Sequence, residues 1–156
     1  MQRFSDLPRR LREKTLLGKL EIVAYTLLPD HFHLIVSQHQ TDGMPRLMKQ
    51  TINGFTAYYN QKYKHQGPVF MGRYKAVEVP GSSLCDLVRY VHREPGGEDY
   101  EWSSYGKYLG KEGFLDCDID EVMNKFSTRE EFINFHEDTG GYTKSLEKIR
   151  SILIES

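Results

Sequence analysis

The tripeptide His31-Phe32-His33 carries the strongest chemical signal in this chain, set between Leu27-Leu28-Pro29-Asp30 and Leu34-Ile35-Val36. Side chains alternate faces along a strand, so both imidazoles project together while Phe32 packs on the other side, as two ligands converging on one metal ion must. Spacing alone is weak: six histidines scattered at random give such a pair in about a fifth of chains this long. A second pair adds to it. Tyr90 and Glu94 stand four apart in a segment with helical periodicity, which sets a phenol and a carboxylate on one face a turn apart. A phenol with a pKa of about 10 is a poor nucleophile, but a neighbouring divalent cation stabilises the phenolate and polarises a phosphoryl oxygen at the same time. Two histidines and a carboxylate leave open positions on that cation for phosphate and water. The competing reading is that Tyr90 extends the Leu87 stripe into a core and Glu94 is merely solvated.

The elements that must position these groups follow from pattern. Leu20 to Leu28 and His31 to Val36 read as the arms of a hairpin turning at Pro29-Asp30, which places the histidines on the second arm. Before it, Pro8 to Gly18 reads as a short basic helix. After it, Met44, Leu47, Met48, Ile52, Phe55, Tyr59 and Tyr63 repeat with the 3.6-residue period of an amphipathic helix, with Thr41-Asp42 as its cap. Val69 to Val79 reads as a strand ending at Pro80-Gly81. A helix capped by Ser82 or Ser83 runs to Glu94 with Leu84, Leu87, Val88 and Val91 as its core stripe, and Pro95-Gly96-Gly97 stops it. Further helices are expected at Ile119 to Phe126, Arg129 to His136 and Thr143 to Ile154, with Gly140-Gly141 as the last break.

Composition narrows the classes. A chain of 156 residues suits one domain with a real core. The formal net charge of −1 predicts no nucleic-acid binding from the whole-molecule field, so any such binding must rest on local patches. Lys62, Tyr63, Lys64, His65, Arg73, Tyr74, Lys75, Arg89 and Arg93 interleave cations with rings, the composition of a surface that neutralises phosphates and stacks unpaired bases; the alternative is a solvated face with ordinary core tyrosines. Cys85 and Cys117 show no C-x-x-C spacing, which argues for a reducing compartment and against a zinc knuckle or disulfide framework. No apolar run of membrane-spanning length and no signal peptide is evident, so a cytoplasmic protein without membrane contact is expected. Trp102-Ser103-Ser104-Tyr105 is assigned to packing, and His39, His65, His92 and His136, whose spacing recruits none of them, to surface or packing roles.

Four ordered motifs, His31-Phe32-His33, Gly67-Pro68-Val69-Phe70-Met71-Gly72-Arg73-Tyr74-Lys75, Arg89-Tyr90-Val91-His92-Arg93-Glu94-Pro95 and Tyr100-Glu101-Trp102-Ser103-Ser104-Tyr105, together resemble the REP-associated tyrosine transposases, the small single-tyrosine branch of the HUH transposases. The resemblance spans Leu20 to Tyr108, and Ile119 to Phe135 is similar to the helical carboxy-terminal part of many members. It implies an α+β fold, a ferredoxin-like antiparallel sheet with helices on one face and a helical tail. Residues 1–110 would form the catalytic domain and 111–156 an extension of the same unit. It further implies a metal site at His31 and His33, magnesium or manganese as the ion, Tyr90 as nucleophile, a homodimer, and single-stranded hairpin DNA as substrate. The reaction implied is cleavage and rejoining through a 5′-phosphotyrosine; from the chemistry of the residues themselves, Lys62, Lys64, Arg73, Tyr74, Lys75, Arg89 and Arg93 are the expected DNA-binding set and Glu94 the expected third metal ligand.

Three features depart from that family pattern. The first strand of the sheet is short or absent, so either Met1 to Phe4 supplies a remnant, or another chain or segment fills the gap. The position of Glu94 is more often an amide in the family, and the stretch from Pro95 to Tyr100 is short. A catalytically silent binder of hairpin DNA or RNA is therefore the alternative, although such a binder needs none of His31, His33 and Tyr90. A histidine-triad hydrolase would need a histidine where Ile35 stands, and an amidohydrolase barrel needs about 200 residues or more.

Overall fold

The computed structural model describes residues 16, 18–96 and 100–154. The basic helix expected over Pro8 to Gly18 and the strand remnant at Met1 to Phe4 lie almost wholly outside the described residues. Strands β1 (Leu20–Leu27) and β2 (Phe32–Gln38) pair antiparallel, and the Leu28 N–H donates to the His31 carbonyl at 2.8 Å to close the turn over Pro29-Asp30. The hairpin predicted from β-branched and aromatic residues on both sides of a Pro-Asp turn is present, and the class is mixed α+β.

The outer edge of β1 is taken up within the chain. The Val23 carbonyl accepts from the Tyr108 hydroxyl at 2.9 Å, the Tyr25 N–H donates to Ser104 Oγ at 2.9 Å, and the Tyr25 carbonyl accepts from the Ser104 N–H at 3.0 Å. The Leu27 N–H donates to the Trp102 carbonyl at 2.9 Å, its carbonyl accepts from the Tyr100 hydroxyl at 2.5 Å, and Thr26 and Ser103 form an antiparallel bridge. The Val23 carbonyl and both backbone groups of Tyr25 and Leu27 on this flank are met by Tyr100 to Tyr108, so a segment of the same chain, one of the expected alternatives, fills this stretch of the edge. Trp102 itself packs edge-on against Phe114, with ring centroids 4.9 Å apart.

By contact the chain falls into two units, one comprising the described residues of Met1–Glu21 and Gln38–Lys75, the other those of Ile22–Ser37 and Ala76–Ser156. In the first, helix α1 (Gly43–Tyr63) follows the predicted apolar period. The Asp42 side chain does not cap it; the carboxylate pairs with Lys19 and Arg46, while Gln38 Oε1 accepts from the Met44 N–H at 2.8 Å. Met48 is buried, but farther along the stripe Phe55 is 44% and Tyr63 58% exposed. The helix ends on Lys64 in the left-handed region, φ 53°, where His65 returns a backbone bond to Asn60 at 3.1 Å. Val69 to Val79 forms no strand: the segment has no ladder partner among the described residues, is broken by Gly72 at φ 79°, and is mostly exposed. β-branched composition alone does not make a strand without a neighbour to pair with.

The second unit contains the core. A short 3₁₀ turn (Gly81–Ser83) leads into α2 (Leu84–Arg93), whose Leu84, Leu87, Val88 and Val91 pack with Val23, Ala24 and Ile35 of the hairpin. Helices α3 (Tyr105–Tyr108), α4 (Asp120–Met123), α5 (Arg129–Glu137) and α6 (Thr139–Ile154) add Tyr105, Tyr108, Val122, Phe132 and Ile149 to the same cluster. Burying a side chain of this kind contributes roughly 1.5–3 kcal/mol, so the α2 stripe is strongly held to the hairpin. Thr128 caps α5 by accepting from the Glu131 N–H at 3.1 Å. Gly140-Gly141, expected to break the chain, instead open α6: the break is at Asp138, whose side chain accepts from the Gly140 N–H at 3.1 Å. A Cβ on Gly141 would run into that same carboxylate, so the glycine permits the tight entry into the helix rather than ending it.

Candidate functional site

The second unit brings His31, His33 and Glu94 together. Each offers a ligand atom, and these atoms all lie within 4.8 Å of one another. Glu94 Oε2 is 2.7 Å from His33 Nε2, and Glu94 Oε1 is 3.4 Å from His31 Nε2, so the carboxylate spans the two rings. The rings meet edge to face, centroids 5.1 Å apart and planes at 88°. Position accounts for this: His31 closes the turn and His33 lies two residues on in β2, while Glu94 follows the last residue of α2, whose apolar stripe holds it against the hairpin.

His33 Nε2 is buried yet makes no aligned hydrogen bond, despite the carboxylate oxygen at 2.7 Å. A buried ring nitrogen left unsatisfied this close to a carboxylate fits a shared cation better than it fits a hydrogen-bonded cluster. Two imidazoles and one carboxylate form a borderline donor set, which among the two expected ions suits manganese better than the oxygen-seeking magnesium.

Electrostatics separate the two histidines. The hydrogen bond from His31 Nδ1 to Asp30 Oδ1, 2.7 Å, raises the His31 pKa, with Glu94 adding to the effect. It also leaves Nε2 as the nitrogen turned toward Glu94. Burial lowers the His33 pKa against the opposing pull of Glu94. Tyr90, one turn before Glu94 on α2, is half-buried with its ring centroid 6.0 Å from that of His33. Burial, then the Glu94 charge, pushes its phenol above the ordinary value, so without a cation it stays protonated at neutral pH.

The DNA-binding residues named from sequence do not share one environment. Lys62, Lys64, Arg73, Tyr74 and Lys75 are exposed and belong to the first unit. There, Phe55, Tyr59 and Tyr63 stack in succession along α1 at 6.1 and 4.6 Å between centroids, Phe70 packs on Phe55 at 5.6 Å, and Lys62 Nζ lies 5.3 Å over both Tyr58 and Tyr63. Arg89 is different, at 2% exposed. Its guanidinium donates to the Phe135 carbonyl at 2.8 Å, Asp86 at 2.9 Å and Ser145 Oγ at 2.9 Å, and it stacks on Phe135 at 4.1 Å. A cation sealed among helices in this way cannot reach a phosphate, so Arg89 leaves the DNA-binding set. Arg93 is partly buried, donates to the His136 carbonyl at 2.9 Å and stacks on Tyr142 at 4.6 Å. Both arginines satisfy carbonyls at the end of α5, where a helix leaves acceptors unpaired.

Two groups assigned to packing do more than fill space. His92 Nε2 lies 2.8 Å from Ser104 Oγ, and both residues are buried. Burial, helped by His136 nearby, holds His92 well below the ordinary histidine value, and burial brings His136 down to about 4. The signal that could have found this pair is that His92 falls on the opposite face of α2 from Tyr90, toward a core where a polar ring needs a partner.

No helix among the described residues is long and apolar enough to cross a membrane. Residues 5–94, more than half of the chain and including His31, His33, Tyr90 and Glu94, match the family model described as transposase IS200 like. No curated protein and no solved structure matches the chain.

Proposed function

This chain belongs to the IS200-like transposase family, so its function is of the transposase type and its partner is DNA; from that premise we propose that it cleaves and rejoins single-stranded DNA at hairpins through Tyr90. The observation that carries the proposal is the convergence of His31, His33 and Glu94 within 4.8 Å, beside a tyrosine one turn back on the helix that Glu94 caps.

Tyr90 is the nucleophile of this reading. Its oxygen attacks a backbone phosphorus in line and gives up the phenolic proton to solvent, the bond from phosphorus to the 3′-oxygen breaks, and that oxygen takes a proton from solvent and leaves as a free 3′-hydroxyl. A 5′-phosphotyrosine remains, conserving the phosphodiester energy so that a later attack by another 3′-hydroxyl rejoins DNA with no nucleotide cofactor. Manganese or magnesium held by His31, His33 and Glu94 would supply positive charge to the phenolate and to the phosphate under attack. Asp30 turns His31 Nε2 inward, and burial keeps His33 in the neutral form that a ligand requires.

In the first unit, the rings and cations of α1 with Arg73, Tyr74 and Lys75 supply stacking and phosphate neutralisation for the unpaired strand. A homodimer and a place in the nucleoid complete the reading. With β1 flanked within the chain, the flank of β2, which has no strand beside it among the described residues, is what a second copy would cover.

Labelled single-stranded hairpins incubated with manganese and run on denaturing gels test the proposal. A covalent adduct that EDTA abolishes is expected. Retarded DNA on native gels with no adduct on denaturing ones would make the chain a silent hairpin binder instead.

A further inference from the structure

Apolar packing holds α2 to the hairpin but does not fix its rotation or height, because burial is non-directional. A candidate site shared between β2 and α2 needs both fixed to within about 0.5 Å. Arg89 and Arg93 tie α2 directionally to α5 and α6, and His92 makes the directional contact that leads from the buried face of α2 toward the hairpin. At 100° per residue, His92 lies about 200° from both Tyr90 and Glu94, so it points to the back of the helix at the same height as the site. Its Nε2 sits 2.8 Å from Ser104 Oγ.

Ser104 is in turn tied to β1. Its N–H donates to the Tyr25 carbonyl at 3.0 Å, its Oγ accepts from the Tyr25 N–H at 2.9 Å, and the same Oγ lies 3.2 Å from the Tyr25 carbonyl. A hydroxyl has one hydrogen and two lone pairs. All three are used when His92 donates from Nε2, Tyr25 donates from its N–H, and Ser104 donates to the Tyr25 carbonyl. The helix bearing Tyr90 and Glu94 is thus linked by two side chains to the strand paired with the one bearing His33.

We propose that His92 and Ser104 are positioning residues, a clamp that sets the rotation and height of α2 so that Tyr90 and Glu94 meet His31 and His33. The proposal rests on the reading of that site as a metal-dependent tyrosine nuclease. It predicts a functional cost out of proportion to the loss of stability, because the clamp lies behind the site and touches none of the three candidate metal ligands.

The test compares wild type with Ser104→Ala, His92→Leu and His92→Gln, the last keeping an amide donor near the place of Nε2. Manganese affinity is measured by calorimetry, adduct formation at saturating manganese, hairpin binding on native gels, and melting by circular dichroism. Ser104→Ala and His92→Leu are expected to weaken manganese binding and slow adduct formation by about tenfold or more, with hairpin binding within about twofold of wild type. His92→Gln is expected to recover most of both. Should His92→Leu fail to fold, Ser104→Ala, which removes a single oxygen, carries the comparison. Lowered melting temperatures with manganese affinity and adduct rate at wild-type values would overturn the clamp and leave the nuclease reading standing. Wild type that binds no manganese and forms no adduct would overturn that reading, and the clamp with it.

Discussion

Glu94 Oε2 lies 2.7 Å from His33 Nε2 at the point where the end of α2 meets β2, and the same carboxylate reaches His31 Nε2 at 3.4 Å through its other oxygen. A metal bound here must displace any proton that the two imidazoles hold.

Manganese binding should therefore depend on pH with a known sign. Because Asp30 raises the His31 pKa, proton competition begins above the usual histidine value of 6.5, and affinity should fall as pH drops through that range. His33, lowered by burial, should add to the competition only at more acid pH. Asp30→Ala should move the onset of the loss downward in pH while weakening binding by about tenfold at alkaline pH, where ring orientation alone matters. Calorimetric titrations across the pH range check both effects.

Acid stability should be governed by the buried histidines. His136 has a folded pKa of about 4 against an ordinary 6.5, so the unfolded chain binds its proton first as pH falls. Stability contributed by the neutral form is whole above 6.5 and is lost progressively toward 4, on the order of 3 kcal/mol at one pKa unit per about 1.4 kcal/mol. His92, shifted the same way, steepens the loss. His136→Phe should flatten the dependence of urea midpoints on pH between those limits.

Arg89→Ala should act on folding and not on DNA. It removes the buried guanidinium that donates to the Phe135 carbonyl, Asp86 and Ser145 Oγ, a loss of about 2–4 kcal/mol. Urea unfolding should show the loss, while the salt dependence of hairpin binding below the melting temperature should be unchanged.

The face of α1 should behave in the opposite way. Tyr63→Ala should weaken binding of an unpaired oligonucleotide by about 1–3 kcal/mol with little change in melting temperature, since the ring is largely exposed. Lys62→Ala should lower the slope of log affinity against log salt by about 1. Fluorescence anisotropy at several salt concentrations measures both.

What the sequence made legible was periodic or local. The alternation of His31, Phe32 and His33, the four-residue step from Tyr90 to Glu94 and the stripe from Leu84 to Val91 each follow from the geometry of a single element. What stayed hidden depends on partners distant in the chain. Arg89 looks like any surface cation until the end of α5 arrives to take its hydrogens. Val69 to Val79 has the composition of a strand, but it turns at Gly72 and has no strand beside it among the described residues. His92 and Ser104 stand 12 residues apart and meet only because β1 takes Ser104 against its outer edge. Gly140-Gly141 shows the same limit: glycine signals a sharp backbone change, but whether it ends a helix or begins one is decided by the Asp138 side chain before it.

The identity of the atom that attacks DNA is the centre of the proposed function, and mass spectrometry of the covalent adduct reads it directly. Wild type and Tyr90→Phe are incubated with the hairpin and manganese, digested with nuclease and protease, and searched for peptides bearing a residual nucleotide. The expected result is a nucleotide on the peptide containing Tyr90 in wild type and on no peptide in Tyr90→Phe, whose hairpin binding persists because the change removes one oxygen from a half-buried ring. A nucleotide on Tyr74, or cleaved ends from Tyr90→Phe at the wild-type rate with no modified peptide, would contradict it and point to another nucleophile or to hydrolysis by water.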